Sequence, residues 1–243
     1  MVRPSTSTWR GCARASCARA APANGEAAGM AEQRQPIRVA QTASPVATLG
    51  PGRRFVLWVQ GCRKRCPGCT SPEWRPQEGG SLLAVAEMQR AILEQDERPA
   101  PLGQLDGLTL SGGEPLLQAG PLLELWRGLL VARPAWTLVL FTGYSQRELA
   151  RRPDAAAQEL ARTADLLIAG PYIAALDDGR GLRGSSNQQI LIRNPALLPL
   201  AGELLTAPRR LELRLTADVA FFAGVPPRGF GEQLDRLLGQ EEP

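Results

Sequence analysis

The amino-acid sequence predicts an α/β fold built on a parallel sheet, and three observations lead to that prediction. Short apolar runs alternate with longer amphipathic segments between residues 55 and 192. The run at residues 55–59 has no polar alternation, which is typical of a strand buried on both faces. Glycine-containing turns follow several of the runs. Regular alternation of strands and helices predicts parallel strands joined by crossover connections.

The predicted elements can be justified in chain order. A short strand at 37–40 and a turn-rich stretch to Gly52 precede the buried strand, and residues 71–80 form a loop. Ser81 is expected to cap an amphipathic helix that ends near Asp96. Ser145 and Glu148 have the spacing of a capping box and predict that a helix begins there. The other expected elements are strands at 107–111, 137–141 and 164–169, a strand through Ile190 and Ile192, a helix at 121–133, a hairpin at 210–225 with its turn at Ala217 and Asp218, and a helix at 230–238.

Composition and charge narrow the classes of function. The chain has 243 residues, enough for one domain with a large core, and no apolar run approaches the ~18–20 residues that span a bilayer. The formal charge is +4, but residues 1–30 hold four arginines against one glutamate. The remaining body is nearly neutral, so neither a nucleic-acid surface nor a membrane partner is expected. No histidine is present, which excludes serine–histidine and cysteine–histidine nucleophile pairs.

Residues 1–36 are expected to form a disordered tail, and residues 37–243 the folded body. The tail is rich in Ala, Arg, Ser, Pro and Gly and has no apolar h-region, so it is not a secretory signal. It slightly resembles an organelle transit peptide, and a translation start at Met30 is a further alternative. Cys12 and Cys17 are expected to be unpaired thiols within this tail.

Three cysteines form the most informative pattern in the chain: Cys62, Cys66 and Cys69 follow directly after the buried strand and Gly61. Ligands of α/β proteins collect on loops at the carboxyl ends of strands, which is where this loop lies. Iron–sulfur clusters are held by thiolates on such short-spaced loops. Structural zinc needs four ligands, and without histidine the fourth would be Cys12, Cys17 or a carboxylate. A 4Fe-4S cluster with three cysteine ligands keeps one iron open; zinc and a redox thiol pair remain alternatives. Free thiolates also indicate a reducing, cytoplasmic location.

The spacing of these cysteines resembles that of radical S-adenosylmethionine (SAM) enzymes, and Gly112-Gly113-Glu114-Pro115 after the next strand is similar to the family's "GGE" motif. The resemblance implies that SAM binds the open iron and is cleaved reductively to a 5′-deoxyadenosyl radical. It also implies that backbone carbonyls at this motif and the Glu114 carboxylate bind the methionine ammonium group. A cationic amino group requires such acceptors.

Further segments resemble one branch of that family, the activating enzymes of anaerobic ribonucleotide reductase and pyruvate formate-lyase. They are residues 58–69, 111–115, 141–144, 165–172 and 183–188. This resemblance implies a partial (β/α) barrel of the radical SAM type, a glycyl radical enzyme as protein substrate, and SAM contacts that include Thr142 and Gly143. Residues 193–243 form a C-terminal extension beyond the short activating enzymes. Together with Ala169, where those enzymes often have Asp, the extension keeps open an enzyme acting on a small molecule or peptide.

The electron donor is expected to be external, a flavodoxin or ferredoxin, because the sequence has no second cysteine cluster. Arg63, Lys64 and Arg65 lie between the first two cysteines and would attract such acidic proteins. A solvated loop face explains the same three residues equally well. A non-enzymatic iron–sulfur or zinc protein is the remaining alternative, although a carrier would have no use for Glu114 beside an open iron.

Overall fold

The computed structural model describes residues 35–215 and 220–237. Within them the first half contains the strands β1 (Ile37–Val46), β2 (Arg54–Val59), β3 (Ser81–Leu83), β4 (Gly107–Gly112) and β5 (Thr137–Thr142), and the helices α1 (Val85–Asp96) and α2 (Ala119–Ala132). The second half contains α3 (Gln146–Arg151), α4 (Ala155–Thr163), β6 (Leu166–Ala169), β7 (Gln189–Ile192), α5 (Ala201–Thr206), β8 (Leu211–Leu215), β9 (Ala220–Gly224) and α6 (Phe230–Leu237).

Seven strands form one sheet in the order β3-β1-β2-β4-β5-β6-β7, and β8 and β9 pair separately as a hairpin. The four central strands, β2, β4, β5 and β6, are parallel, which confirms an α/β fold. The outer strands are antiparallel to their neighbours, so the sheet is parallel at its centre and mixed as a whole. The physical reason is the connections: β1 turns directly into β2, and no α-helix lies between β6 and β7 to carry the chain back.

Two local expectations require correction. Ser81 does not cap a helix but begins the short strand β3, which pairs with β1, and α1 begins at Val85 after Ala84 without a side-chain cap. The strand expected at 37–40 continues to Val46 because it pairs with β2 as a hairpin. The capping box at Ser145 and Glu148 is confirmed. The hairpin turn, residue 238 of the last helix and residues 1–34, including Cys12 and Cys17, lie outside the described residues.

The central sheet has apolar side chains on both faces, as the unbroken apolar runs predict. One face packs against the helices α1, α2 and α4 in the largest core cluster. The other face is covered by the chain that follows β7: Ala223 and Phe221 pack near Trp58, and Leu197 and Leu204 pack against Ile168. The C-terminal segment therefore fills the second side of the sheet. No helix in the described parts of the chain has the length and apolar character needed to cross a membrane.

Candidate functional site

The three cysteines lie on one loop at the carboxyl end of β2. Each has a free, half-buried thiol. Gly61 begins the loop with φ +98°, a left-handed conformation that favours glycine. Backbone hydrogen bonds from Gly61 N to Trp74 O and from Cys62 N to Arg75 O, both 2.9 Å, hold the first part of the loop against residues 74–75. Burial raises the pKa of the Cys62 thiol, and the nearby charge of Glu114 acts in the same direction.

The two glycines after β4 bring this strand end against the cysteine loop. Gly112 has φ +102°, and an added Cβ there would lie 2.5 Å from the Val59 backbone nitrogen. At Gly113 an added Cβ would lie 2.7 Å from the Gly61 carbonyl carbon and 2.9 Å from Trp74 O. Gly113 N donates to Val59 O, and Glu114 N donates to Gly61 O. This glycine pair therefore permits the backbone at the end of β4 to approach the backbone of the cysteine loop closely.

Glu114 links the ends of β4 and β5 from a position that is only 1% exposed. Its Oε1 accepts hydrogen bonds from Thr142 Oγ1 at 2.8 Å and from Leu116 N at 3.1 Å, and its Oε2 accepts from Gly143 N at 2.8 Å. Burial raises the pKa of Glu114, while these three hydrogen bonds and the charge of Arg152 oppose that shift. A carboxylate has about four acceptor positions, so three internal donors leave one for a ligand.

A cation–π stack joins the turn after β5 to the cysteine loop. Lys64 Nζ lies 2.6 Å from Glu148 Oε1 and 4.3 Å from the centre of the Tyr144 ring, and the Arg152 guanidinium also lies 4.3 Å from that ring. The pairing with Lys64 lowers the pKa of Glu148 to about 2. Lys64 is therefore committed to an internal contact, unlike its exposed neighbours Arg63 and Arg65.

Two glutamines support the site, and neither was identified from the sequence. Gln60, 6% exposed, donates from Nε2 to the carbonyl oxygens of Glu73 and Pro76. Gln118 donates from Nε2 to the carbonyls of Arg38 and Gln60. The Gln60 amide fixes the loop after the cysteines to the end of β2, and the Gln118 amide joins that strand end to β1. A polar side chain ending a buried strand was the available signal at Gln60, but nothing in the sequence identified its partners.

The segment 183–188 holds the loop that leaves β6. Asn187 Nδ2 donates to Pro171 O, Gln188 Nε2 donates to Gly170 O, and Ser185 Oγ accepts from Ile173 N. The loop that they hold in turn reaches the cysteine loop, since a Cβ added at Gly68 would lie 3.7 Å from the Tyr172 ring. Four chain segments thus meet around the cysteines, at the carboxyl ends of the parallel strands.

The chemistry of the donor groups is compatible with an iron–sulfur cluster. Within residues 35–215 and 220–237, no group of three metal-binding side chains converges to hold one ion. A 4Fe-4S cluster has no such requirement, because each thiolate binds a different iron atom. Three half-buried thiols on one loop are compatible with such a cluster, and the described residues contain no fourth free thiol.

Comparison with known proteins supports this reading of the cysteine loop. A family model described as a 4Fe-4S single cluster domain matches residues 48–191. The anaerobic ribonucleoside-triphosphate reductase-activating protein of Escherichia coli K12 is 32% identical over 145 residues, which cover 58% of this chain and 89% of the relative. The Vibrio cholerae protein of that name is 34% identical over 58% of this chain and 88% of its own length. The pyruvate formate-lyase-activating enzyme of Staphylococcus aureus USA300 is 43% identical over 76 residues, 31% of this chain and 29% of that enzyme. The predicted relationship to activating enzymes is confirmed.

Proposed function

The chain belongs to the 4Fe-4S single cluster domain family, and its relatives are radical SAM activating enzymes; from this we propose that it activates a glycyl radical enzyme. In this proposal, reductive cleavage of SAM yields a 5′-deoxyadenosyl radical, which takes one hydrogen atom from a partner glycine. The products are methionine, 5′-deoxyadenosine and a glycyl radical. The single observation that carries the proposal is the junction of the cysteine loop with Gly113 and Glu114 at the carboxyl ends of β2 and β4.

Cys62, Cys66 and Cys69 would hold the cluster as thiolates. Burial raises the pKa of the Cys62 thiol, and a bond to a cationic iron would favour its thiolate form. When bound, the cluster and SAM supply one-electron cleavage of a carbon–sulfur bond, chemistry that no side chain can perform. The protein's task is to position the two groups and to exclude water.

Glu114 and its neighbours would receive the amino-acid end of SAM. The backbone of Gly112, Gly113 and Pro115 provides carbonyl groups beside the cysteine loop, and Glu114 retains one acceptor position for an ammonium group. Thr142 and Gly143 act through Glu114, because both donate hydrogen bonds to its carboxylate. A cation placed here would also relieve the electrostatic cost of a carboxylate that is 1% exposed.

The domain boundaries, the electron donor and the location of the protein form the rest of the proposal. We assign residues 37–243 to one radical SAM domain, of which about 193–243 are an extension, and we expect the sheet to curve as a partial (β/α) barrel. The match to residues 48–191 and the packing of residues after β7 on the second face of the sheet support this division. The donor would be an external flavodoxin or ferredoxin, and the free thiols fit a cytoplasmic location.

Anaerobic reconstitution tests the proposal directly. The protein is incubated with iron, sulfide, reductant and SAM, and 5′-deoxyadenosine is quantified by chromatography. Expected results are production of 5′-deoxyadenosine and, after addition of the reductase or formate-lyase partner, a glycyl doublet in the EPR spectrum. SAM cleavage that depends on a small molecule and yields no protein radical would show that the substrate is that small molecule and not a glycyl radical enzyme. A colourless preparation without SAM cleavage would refute the radical chemistry.

A further inference from the structure

A second surface adjoins the cysteine loop at Cys62. A cavity of about 510 Å³ is lined by Cys62, by Arg63, Arg65 and Arg75, and by the uncharged residues Pro72, Pro76 and Gln77. Neither Glu114 nor the other residues proposed to contact SAM line it. We define the three arginines as the basic face.

The three arginines of the basic face are not consecutive in the sequence, and the fold brings them together. Arg75 joins the other two arginines because Cys62 N donates to Arg75 O and because Gln60 holds the carbonyls of Glu73 and Pro76. Lys64, which the sequence groups with Arg63 and Arg65, points to Glu148 and Tyr144 instead.

The charges of the basic face are not neutralised by its surroundings. None of the three guanidinium groups has a hydrogen bond or ion pair within the described parts of the chain, whereas other arginines near the site, such as Arg183, are paired. The carboxylates nearest in sequence are the exposed Glu73 and Glu78, and neither lines the cavity. Arg63 and Arg65 are exposed, so the face is open to a macromolecule.

We infer that the basic face docks the acidic one-electron carrier that reduces the cluster; this inference rests on the proposed function. The positive charge of the basic face favours an acidic protein as the partner. The position of this face beside Cys62 indicates that the partner's task is to reduce the cluster. Cys62 forms part of the cavity wall, so a redox group held there would be separated from the cluster by little more than the side chain of a cluster ligand. One electron passes from the reduced carrier to the oxidised cluster, so the cluster is reduced by one electron and the carrier departs oxidised by one electron. Because the residues proposed to contact SAM do not line the cavity, reduction does not require SAM to leave.

The test compares two variants of the reconstituted protein that lose the same charge. In the first, Arg63, Arg65 and Arg75 are changed to Gln; in the matched control, Arg90, Arg98 and Arg228, which are exposed and outside the basic face, are changed to Gln. Cluster reduction by reduced flavodoxin is followed by stopped-flow absorbance from about 0.02 to 0.5 M salt, a range over which the screening length falls several-fold. Photoreduced deazaflavin, a small mediator that needs no docking surface, serves as the second reductant.

Wild type and the control are expected to be reduced rapidly by flavodoxin at low salt and slowly at high salt. The basic-face variant should be slower at low salt by about tenfold or more and nearly insensitive to salt, as for loss of electrostatic steering. With deazaflavin, all three proteins should cleave SAM at equal rates. Flavodoxin rates and salt dependence equal to wild type in the basic-face variant would overturn the docking inference. If the docking inference fails in this way but deazaflavin still supports SAM cleavage, the proposed function stands. If wild type does not cleave SAM with deazaflavin, the proposed function is refuted.

Discussion

Changing Gly113 to Ala isolates the contact on which the site geometry depends. Gly113 does not occupy the left-handed region, so alanine is conformationally allowed and only space is lacking. Its Cβ would meet the Gly61 carbonyl carbon at 2.7 Å and Trp74 O at 2.9 Å, whereas real Cβ atoms essentially never approach heavy atoms within 3.0 Å. Both obstacles are backbone, so the cysteine loop must move away from β4 by several tenths of an ångström.

Overpacking of this kind typically costs about 1–3 kcal/mol of folding free energy. Urea denaturation of the metal-free protein measures that cost as a lower midpoint at unchanged m-value. Gly202→Ala is the matched control: nothing lies within 4 Å of an added Cβ in α5, and alanine is favoured over glycine in a helix by up to about 1 kcal/mol. After reconstitution, Gly113→Ala should also bind SAM more weakly at full iron content, because its loop and Glu114 are displaced relative to each other. Wild-type stability and SAM affinity in Gly113→Ala would refute the argument that this contact sets the site.

Three further predictions concern the cluster ligands, two carboxylates and a buried arginine. Changing Cys62, Cys66 or Cys69 to Ala should abolish incorporation of iron and labile sulfide. A brown, active single variant would contradict the assignment of these cysteines as cluster ligands. The pKa of Glu148 is held at about 2, below its ordinary 4.5, so its contribution to stability is present above pH 4.5 and lost as pH falls toward 2; at 45% exposure it should be small and weakened by salt. Burial raises the pKa of Glu114, so its contribution has the opposite sign and is lost as pH rises above 4.5 through the raised value. Urea midpoints of Glu148→Gln and Glu114→Gln, measured across this range, should therefore differ from wild type with opposite pH trends, and parallel trends would contradict one of the two shifts. Arg209→Met should cost about 1–3 kcal/mol, because it removes a side chain that is 1% exposed, lies 2.8 Å from Asp177 and donates to the carbonyls of Gly184 and Pro226; a urea midpoint within error of wild type would exclude that role.

Much of the sheet and the position of the candidate site follow from local sequence. The central strands are short apolar runs, which only burial on both faces explains, and their order along the chain with intervening helices makes them parallel. Ser145 and Glu148 fix a helix start because both hydrogen bonds of a capping box are made within four residues. The cysteine loop was equally easy to find, since three cysteines within eight residues can be recognised without tertiary information.

The errors and omissions lie where a partner is remote in sequence. Ser81 has the properties of a helix cap, but a three-residue strand gains more from pairing with β1, more than 40 residues earlier in the chain. In the sequence, Lys64 belongs to a run of basic loop residues. In the fold it is paired with Glu148, which lies 84 residues away in the chain. Local propensity is a weak term that such tertiary contacts override.

Glu114 shows why the same limit applies to function. From sequence it is a carboxylate after two glycines, and a ligand-binding role follows from its charge alone. In the fold it first serves the protein, because Thr142, Leu116 and Gly143 already occupy three of its acceptor positions. A residue that both braces two strand ends and retains one acceptor for a ligand couples the two tasks: whatever displaces the strand ends also displaces the ligand. Substitution at Thr142 should therefore weaken SAM binding without touching SAM, through the orientation of Glu114.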